Sequence, residues 1–200
     1  MVAMNKAALR AQLLRARRQI TGDLHAAEAR LLSAHLRGIV AADSIVCAYA
    51  PVGTEPGSIE LLDVLLHSAK RVLLPIARTT DDSVPLPLRW SQYRPDCLTG
   101  APFGLREPPE PWLPATALAQ ARLILVPALA VDRRGARLGR GRGFYDRSLV
   151  HKNPRALLIA VVRDEELVDE LPSEPHDVAM THVLTPQRGV IALPLTNTVA

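Results

Sequence analysis

Between Val126 and Leu149 the chain reads VPALAVDRRGARLGRGRGFYDRSL, an apolar run that delivers a glycine- and arginine-rich loop into an amphipathic segment. This order of residues suits the capture of a phosphate-like anion. Arg133, Arg134, Arg137, Arg140 and Arg142 bring permanent charge and forked N–H donors. Gly139, Gly141 and Gly143 let the backbone approach an anion without a Cβ in the way. A helix opening near Phe144 would turn its free N–H groups toward the same anion. A solvated basic turn, or an Arg-Gly tract that binds RNA without folding, would use similar residues. Such tracts lie in low-complexity sequence, whereas this loop follows an apolar strand and precedes an apparent helix, the setting a phosphate loop needs.

Other residues have chemistry to offer. Lys6 and Arg10 stand four apart, so on a helix they project from one face and can grip an anion jointly, although a solvated face reads the same way. Glu55 lies in a proline- and glycine-flanked loop after a predicted strand, where open α/β sheets place ligand contacts. Asp146 and Asp177 are candidates for Mg²⁺, which takes one or two carboxylates and keeps several waters. His176 suits either a general base or a structural histidine, and no Ser or Cys stands in a nucleophile context to complete a relay; the structural role is the expectation. Tyr49, Phe103, Trp112, Phe144 and Tyr145 could stack a planar ligand, but aromatics more often fill the core; Tyr145, beside the basic loop, is the exception.

The elements that must position these groups follow from periodicity. Residues 5–18 carry strong helix formers with Leu9, Leu13 and Ala16 at helical spacing, and Thr21 or Asp23 can cap a second helix with Leu24, Ala27, Leu31 and Leu32. Residues 44–50 read as a strand, 51–57 as a loop, Ser58 as an N-cap, 59–69 as a helix and 71–76 as a strand, together a βαβ unit. From 77 to 114 prolines multiply and periodicity fades; a hairpin arm at 86–93 and irregular chain at 100–109 predict an insertion over the sheet edge. Residues 122–131 read as one buried strand, 144–151 as a helix, 156–162 as a strand and 183–193 as one or two closing strands. The alternation predicts a three-layer α/β/α domain with a mainly parallel sheet, spanning 1–200 as one unit.

Composition bounds the function. Of 200 residues, 48% are hydrophobic, enough for a proper core. The formal charge of +4, from 24 basic and 20 acidic side chains, favours a small polyanion at least as well as nucleic acid. Cys47 and Cys97, without partners at metal-ligand spacing, argue against a disulfide framework or zinc site and point to the cytoplasm. No signal peptide or membrane span is expected.

The motifs taken together resemble the 5-formyltetrahydrofolate cyclo-ligase family, also called 5,10-methenyltetrahydrofolate synthetases. The resemblance runs in order through KAALR, YAPVGTEPGS, PFGLREP, DRRGARLGRGRGFYDRSL and HDVAMTHVLTP, with the fourth the most specific. It departs from the usual pattern at Phe144, at Ala128 and at Thr181, where the family favours tyrosine, glycine and an acid. The resemblance implies an enzyme that uses ATP and Mg²⁺ to close 5-formyltetrahydrofolate, with or without a polyglutamate tail, into the methenyl form; a monomer without nucleic acid or membrane partners is expected. By position, it assigns Lys6, Arg10 and the run Arg137, Leu138, Gly139, Arg140, Gly141, Arg142, Gly143, Phe144 and Tyr145 to the nucleotide. Ala50, Glu55 and residues 140–144 face the folate, Asp146 and Asp177 hold the metal, and Arg140, Glu55 and Tyr145 are the catalytic candidates. Two other readings stay open: a phosphate-binding α/β relative with another substrate, and a nucleic-acid-binding protein that uses the Arg-Gly loop.

Overall fold

Capping side chains set where the first helices begin. In the computed structural model, which describes residues 5–174 and 177–195, the Asn5 side chain accepts from the Ala8 N–H at 2.8 Å and opens α1 (Lys6–Arg17). Thr21 does the same through the Leu24 N–H at 3.3 Å and opens α2 (Gly22–Leu36). The βαβ unit follows as β1 (Ile45–Cys47), α3 (Ile59–Ser68) and β2 (Arg71–Ile76), with β1 and β2 parallel. Ser58 occupies the N-cap position of α3, but its side chain makes no capping hydrogen bond.

The proline-rich segment is more ordered than its sequence suggests. It supplies β3 (Arg89–Gln92), which pairs antiparallel with β2 as the edge of the main sheet. It also forms a small hairpin of β4 (Thr99–Gly100) and β5 (Arg106–Glu107) around a 3₁₀ turn at Pro102–Gly104. Trp90, on β3, is fully buried and exchanges both backbone hydrogen bonds with Leu113, at 3.0 and 2.6 Å.

The expected single strand over 122–131 is two strands in two sheets. β6 (Ala121–Pro127) stays in the main sheet, and β7 (Ala130–Asp132) leaves it to pair with β8 (Arg137–Leu138) and β10 (Leu167–Val168). A short α4 (Phe144–Leu149) and β9 (Leu157–Val161) precede β10; β11 (His182–Thr185) and β12 (Gly189–Ala192) close the chain as an antiparallel pair.

The main sheet runs β12-β11-β9-β6-β1-β2-β3, with β11, β9, β6, β1 and β2 mutually parallel. Its parallel strands are largely buried on both faces, as strands covered by other layers must be, whereas the edge strands β3 and β12 keep exposed residues. Along β6, Leu123 and Leu125 meet the layer of α2 and α3 through Leu32, Leu36, Leu61 and Leu65. Ile124 and Val126 face the opposite layer, with Trp90, Leu118 and Leu149. That second layer is thin: a 3₁₀ segment at Ala115–Gln120, the six-residue α4 and the proline-rich segment. The chain passes from β1 to β2 on one side and later places β6 on the other, a topological switch that opens a crevice at their carboxyl ends.

Candidate active site

The arginine-glycine loop hangs from one buried carboxylate. Asp132, 2% exposed, accepts backbone N–H groups from Arg134 and Ala136 at 2.9 Å and from Leu171 at 3.0 Å. Gly135 completes the turn at φ +93°, and a Cβ there would stand 2.4 Å from the Met180 carbonyl oxygen. Together they fix the direction in which Arg137 leaves β8 and the loop 139–143 departs. The turn also directs Arg133 and Arg134 toward Asp169 and Glu170, at 3.9 and 3.5 Å. Those two arginines line no part of the cleft, contrary to the expectation from the motif.

The loop instead borders a cleft of about 300 Å³ at the carboxyl ends of β1 and β6. The residues that the family resemblance assigns to the site converge there: Lys6 and Arg10 from α1, Ala50 and Glu55 after β1, Arg137 through Asp146, and Asp177. Arg10 crosses to the loop and donates from Nε to the Gly139 carbonyl at 2.9 Å. Gly141, at φ +92°, lies so close to the Arg10 guanidinium that a Cβ would come within 3.3 Å of Cζ. The lining carries seven basic side chains against three acidic ones, a balance that suits an anionic ligand. Arg17 and Arg106 are the basic members that sequence spacing did not single out.

Glu55 is the carboxylate of the cleft floor, 8% exposed. Its Oε2 accepts the Val52 N–H at 3.1 Å, and its Oε1 pairs with Arg140 Nε at 3.1 Å. Burial pushes its pKa above the usual carboxylate range; the charges of Arg140 and Arg17 and the Val52 hydrogen bond pull the other way. The Glu55–Arg140 pair joins the loop after β1 to the glycine loop across the cleft. Tyr145, also in the lining, is partly buried, and its hydroxyl oxygen is buried with no hydrogen-bond partner among the described residues. Burial, with the nearby Glu55 charge, raises its pKa further above a value already well beyond neutral, so the hydroxyl is a protonated donor.

The proposed metal carboxylates are both engaged by cations. Asp146 is ion-paired with Arg137, whose guanidinium also lies 5.9 Å from the centre of the Tyr145 ring. Asp177 lies 3.5 Å from Lys6 Nζ and accepts the Glu174 N–H at 2.8 Å. Burial lowers the Lys6 pKa, but its hydrogen bond to Glu174 at 3.1 Å and the charge of Asp177 more than offset this, leaving it raised. Among the described residues no group of three or more His, Cys, Asp or Glu side chains is placed to hold a metal. Two carboxylates lining one basic cleft are a donor set that suits Mg²⁺, since that ion takes one or two carboxylates and keeps several waters. His176 lies outside the described residues.

Aromatic rings close one wall. Phe103 packs on Phe144 with centroids 5.6 Å apart, and Arg142 lies 4.2 Å over the Phe103 ring. Phe103 adopts φ +65° and remains 40% exposed, an uncommon conformation for a large side chain. Tyr49 lines the floor and donates its hydroxyl to the Pro56 carbonyl at 2.9 Å. Trp112 lies elsewhere, with Arg78 and Arg89 at 4.5 and 5.4 Å from its ring centre.

Known proteins share this chain's sequence and fold. The profile of the 5-formyltetrahydrofolate cyclo-ligase family matches residues 2–186. The 5-formyltetrahydrofolate cyclo-ligase of Mycolicibacterium smegmatis is 59% identical over 189 residues, covering 94% of this chain and 97% of its own. The NMR structure of Aquifex aeolicus 5,10-methenyltetrahydrofolate synthetase superposes with a TM-score of 0.76 at 23% identity, covering 98% of this chain and 97% of that one. A 5,10-methenyltetrahydrofolate synthetase from Mycoplasma pneumoniae gives a TM-score of 0.69 at 18% identity, over 90% and 98% of the two chains.

Proposed function

The chain belongs to the 5-formyltetrahydrofolate cyclo-ligase family, and from that membership we propose that its cleft takes 5-formyltetrahydrofolate with ATP and Mg²⁺ and releases 5,10-methenyltetrahydrofolate, ADP and phosphate. The observation that carries the reading is the Glu55–Arg140 bridge: one ion pair ties a buried carboxylate to an arginine-glycine loop inside a single, strongly basic cleft. An amide-like formyl oxygen is a poor leaving group, and ATP supplies the phosphoryl group that lets it depart as phosphate when N10 closes the ring. Phosphoryl transfer depends mainly on alignment and charge neutralisation, so the protein's task is to bind and orient.

Lys6, Arg10, Arg140 and Arg142 supply the positive charge for the triphosphate, and the backbone of residues 137–145 borders it. Asp146 and Asp177 would hold Mg²⁺, which would neutralise phosphate charge there. Glu55 orients the formyl group and N10, with Ala50 beside it on the floor. Arg140 contacts both substrates, and its bond to Glu55 sets the two half-sites in register. The Tyr145 hydroxyl is a neutral donor to the reacting oxygen, and Phe144 and Phe103 shield that end of the cleft from water. The protein acts in the cytoplasm as a monomer, on folates that include polyglutamylated forms. Among the described residues no helix is long and apolar enough to cross a membrane.

The test mixes protein, 5-formyltetrahydrofolate, ATP and Mg²⁺ and follows the near-ultraviolet absorbance of the methenyl product, with each component omitted in turn. Signal growth only in the complete mixture, and its loss in a folded Arg140→Ala protein, is the expected result. Near-normal turnover by Arg140→Ala would refute the assignment of that residue. Absence of product despite binding of both ATP and folate would favour a relative with another substrate.

A further inference from the structure

The two carbonyls that flank Glu55 are both held from beneath. Pro56 O accepts the Tyr49 hydroxyl at 2.9 Å, and Thr54 O accepts Arg163 Nη1 at 3.2 Å. Arg163 follows β9 and is 1% exposed. Its Nε donates to Glu28 Oε2 at 2.8 Å and its Nη2 to His25 Nδ1 at 3.2 Å, both on α2. Its backbone N–H donates to Glu166 Oε2 at 2.8 Å, and the same carboxylate holds Arg17 of α1 through two further hydrogen bonds. A side chain this deeply buried, with every nitrogen of its fork engaged, has one geometry available to it.

We propose that Arg163 is a positioning residue for the cyclo-ligase reaction: it touches neither substrate nor cleft, and sets where Glu55 stands by fixing the Thr54 carbonyl. The proposal rests on the role given to Glu55 above. The loop from Pro51 to Gly57 has no regular secondary structure of its own, so its geometry comes from such anchors. The Val52 N–H to Glu55 bond fixes the carboxylate relative to the loop; Arg163 and Tyr49 fix the loop relative to the sheet and α2. Glu28 supplies the charge that keeps the guanidinium in place.

The test removes the anchor without leaving a buried charge. A Glu28→Leu/Arg163→Met double variant replaces the pair by apolar groups of similar volume, a change that buried ion pairs often tolerate. Arg163→Lys is the second probe, because a single ammonium nitrogen lacks the planar fork whose Nε, Nη1 and Nη2 reach Glu28, Thr54 and His25 separately. Both should melt within a few degrees of the parent, lose roughly tenfold to a hundredfold in kcat, as expected for a small misplacement of a reacting group, and keep the KM for ATP. On a Glu55→Gln background neither should cause much further loss, since the anchor acts through Glu55. Parental kcat in both variants, or a full additional loss on the Glu55→Gln background, would overturn the proposal while leaving the Glu55 assignment standing. Undiminished turnover by Glu55→Gln alone would instead remove that assignment, and the positioning role with it.

Discussion

Replacing Gly135 by alanine probes the turn that carries the arginine-glycine loop. At φ +93° an L-residue sits in a disfavoured region, which costs about 1–2 kcal/mol. The new Cβ would also meet the Met180 carbonyl oxygen at 2.4 Å, where ordinary contact begins near 3.4 Å. Met180 is not free to move away, because its N–H donates to the Gly135 carbonyl at 2.8 Å. Relief of the clash therefore sacrifices that bond, worth about 1 kcal/mol net. The total comes to about 2–3 kcal/mol, which for a chain of this size lowers Tm by about 4–12 °C. Gly139→Ala is the matched control, since nothing lies within 4 Å of a Cβ at that position. Thermal and urea unfolding of the three proteins would measure the difference, and turnover of Gly135→Ala should fall along with its stability as the loop shifts. A Gly135→Ala protein as stable as Gly139→Ala would show that the Asp132–Gly135 turn is not the constraint described.

Two other perturbations have definite signs. Arg17→Met strands Glu166, whose side chain is 3% exposed, and should cost about 3–5 kcal/mol in urea unfolding; adding Glu166→Leu should recover most of it. Glu55→Gln should lose turnover yet gain stability at neutral pH. Burial raises the Glu55 pKa, so the folded chain binds this proton more tightly than the unfolded one. The stability from that group is full below the unfolded-state value and is lost as pH rises through the folded one. The Tm advantage of Glu55→Gln at neutral pH should therefore fade toward about pH 4, and a lower Tm for the variant at pH 7 would contradict the stated cause.

The parts of the fold that were legible in the sequence are those fixed by neighbouring residues. The second helix opens at Thr21, one of the two caps its sequence offered, and the strand, helix and strand read over 44–76 stand as β1, α3 and β2. The break between β6 and β7 was not legible, because Leu123 to Val131 is apolar throughout and either sheet can bury it. What separates the strands is remote: Arg17 Nη2 donates to the Ala128 carbonyl at 2.6 Å, just where the chain turns off. The arginine-glycine loop announced itself by composition; helical spacing offered Lys6 and Arg10, the loop after the first strand offered Glu55, and the family resemblance gave them roles. Arg17 and Arg163 did not stand out, since their roles depend on partners 149 and 135 residues away, and the remote half of Asp132's role, its bond to Leu171, was equally hidden.

The pairing of Trp90 with Leu113 has a consequence for solubility. A strand at the border of a sheet is a template for strands from other molecules, and proteins blunt such borders with prolines or covering chain. Here the segment that follows β3 folds back to occupy the outward backbone groups of Trp90, while Ser91 Oγ donates to the Pro109 carbonyl at 2.5 Å. Pro108, Pro109, Pro111 and Pro114 then present few backbone donors to a passing chain. The proline-rich stretch thus protects the apolar sheet from edge-to-edge aggregation, a role that demands little of its sequence beyond proline content and the reach from β3 to Leu113.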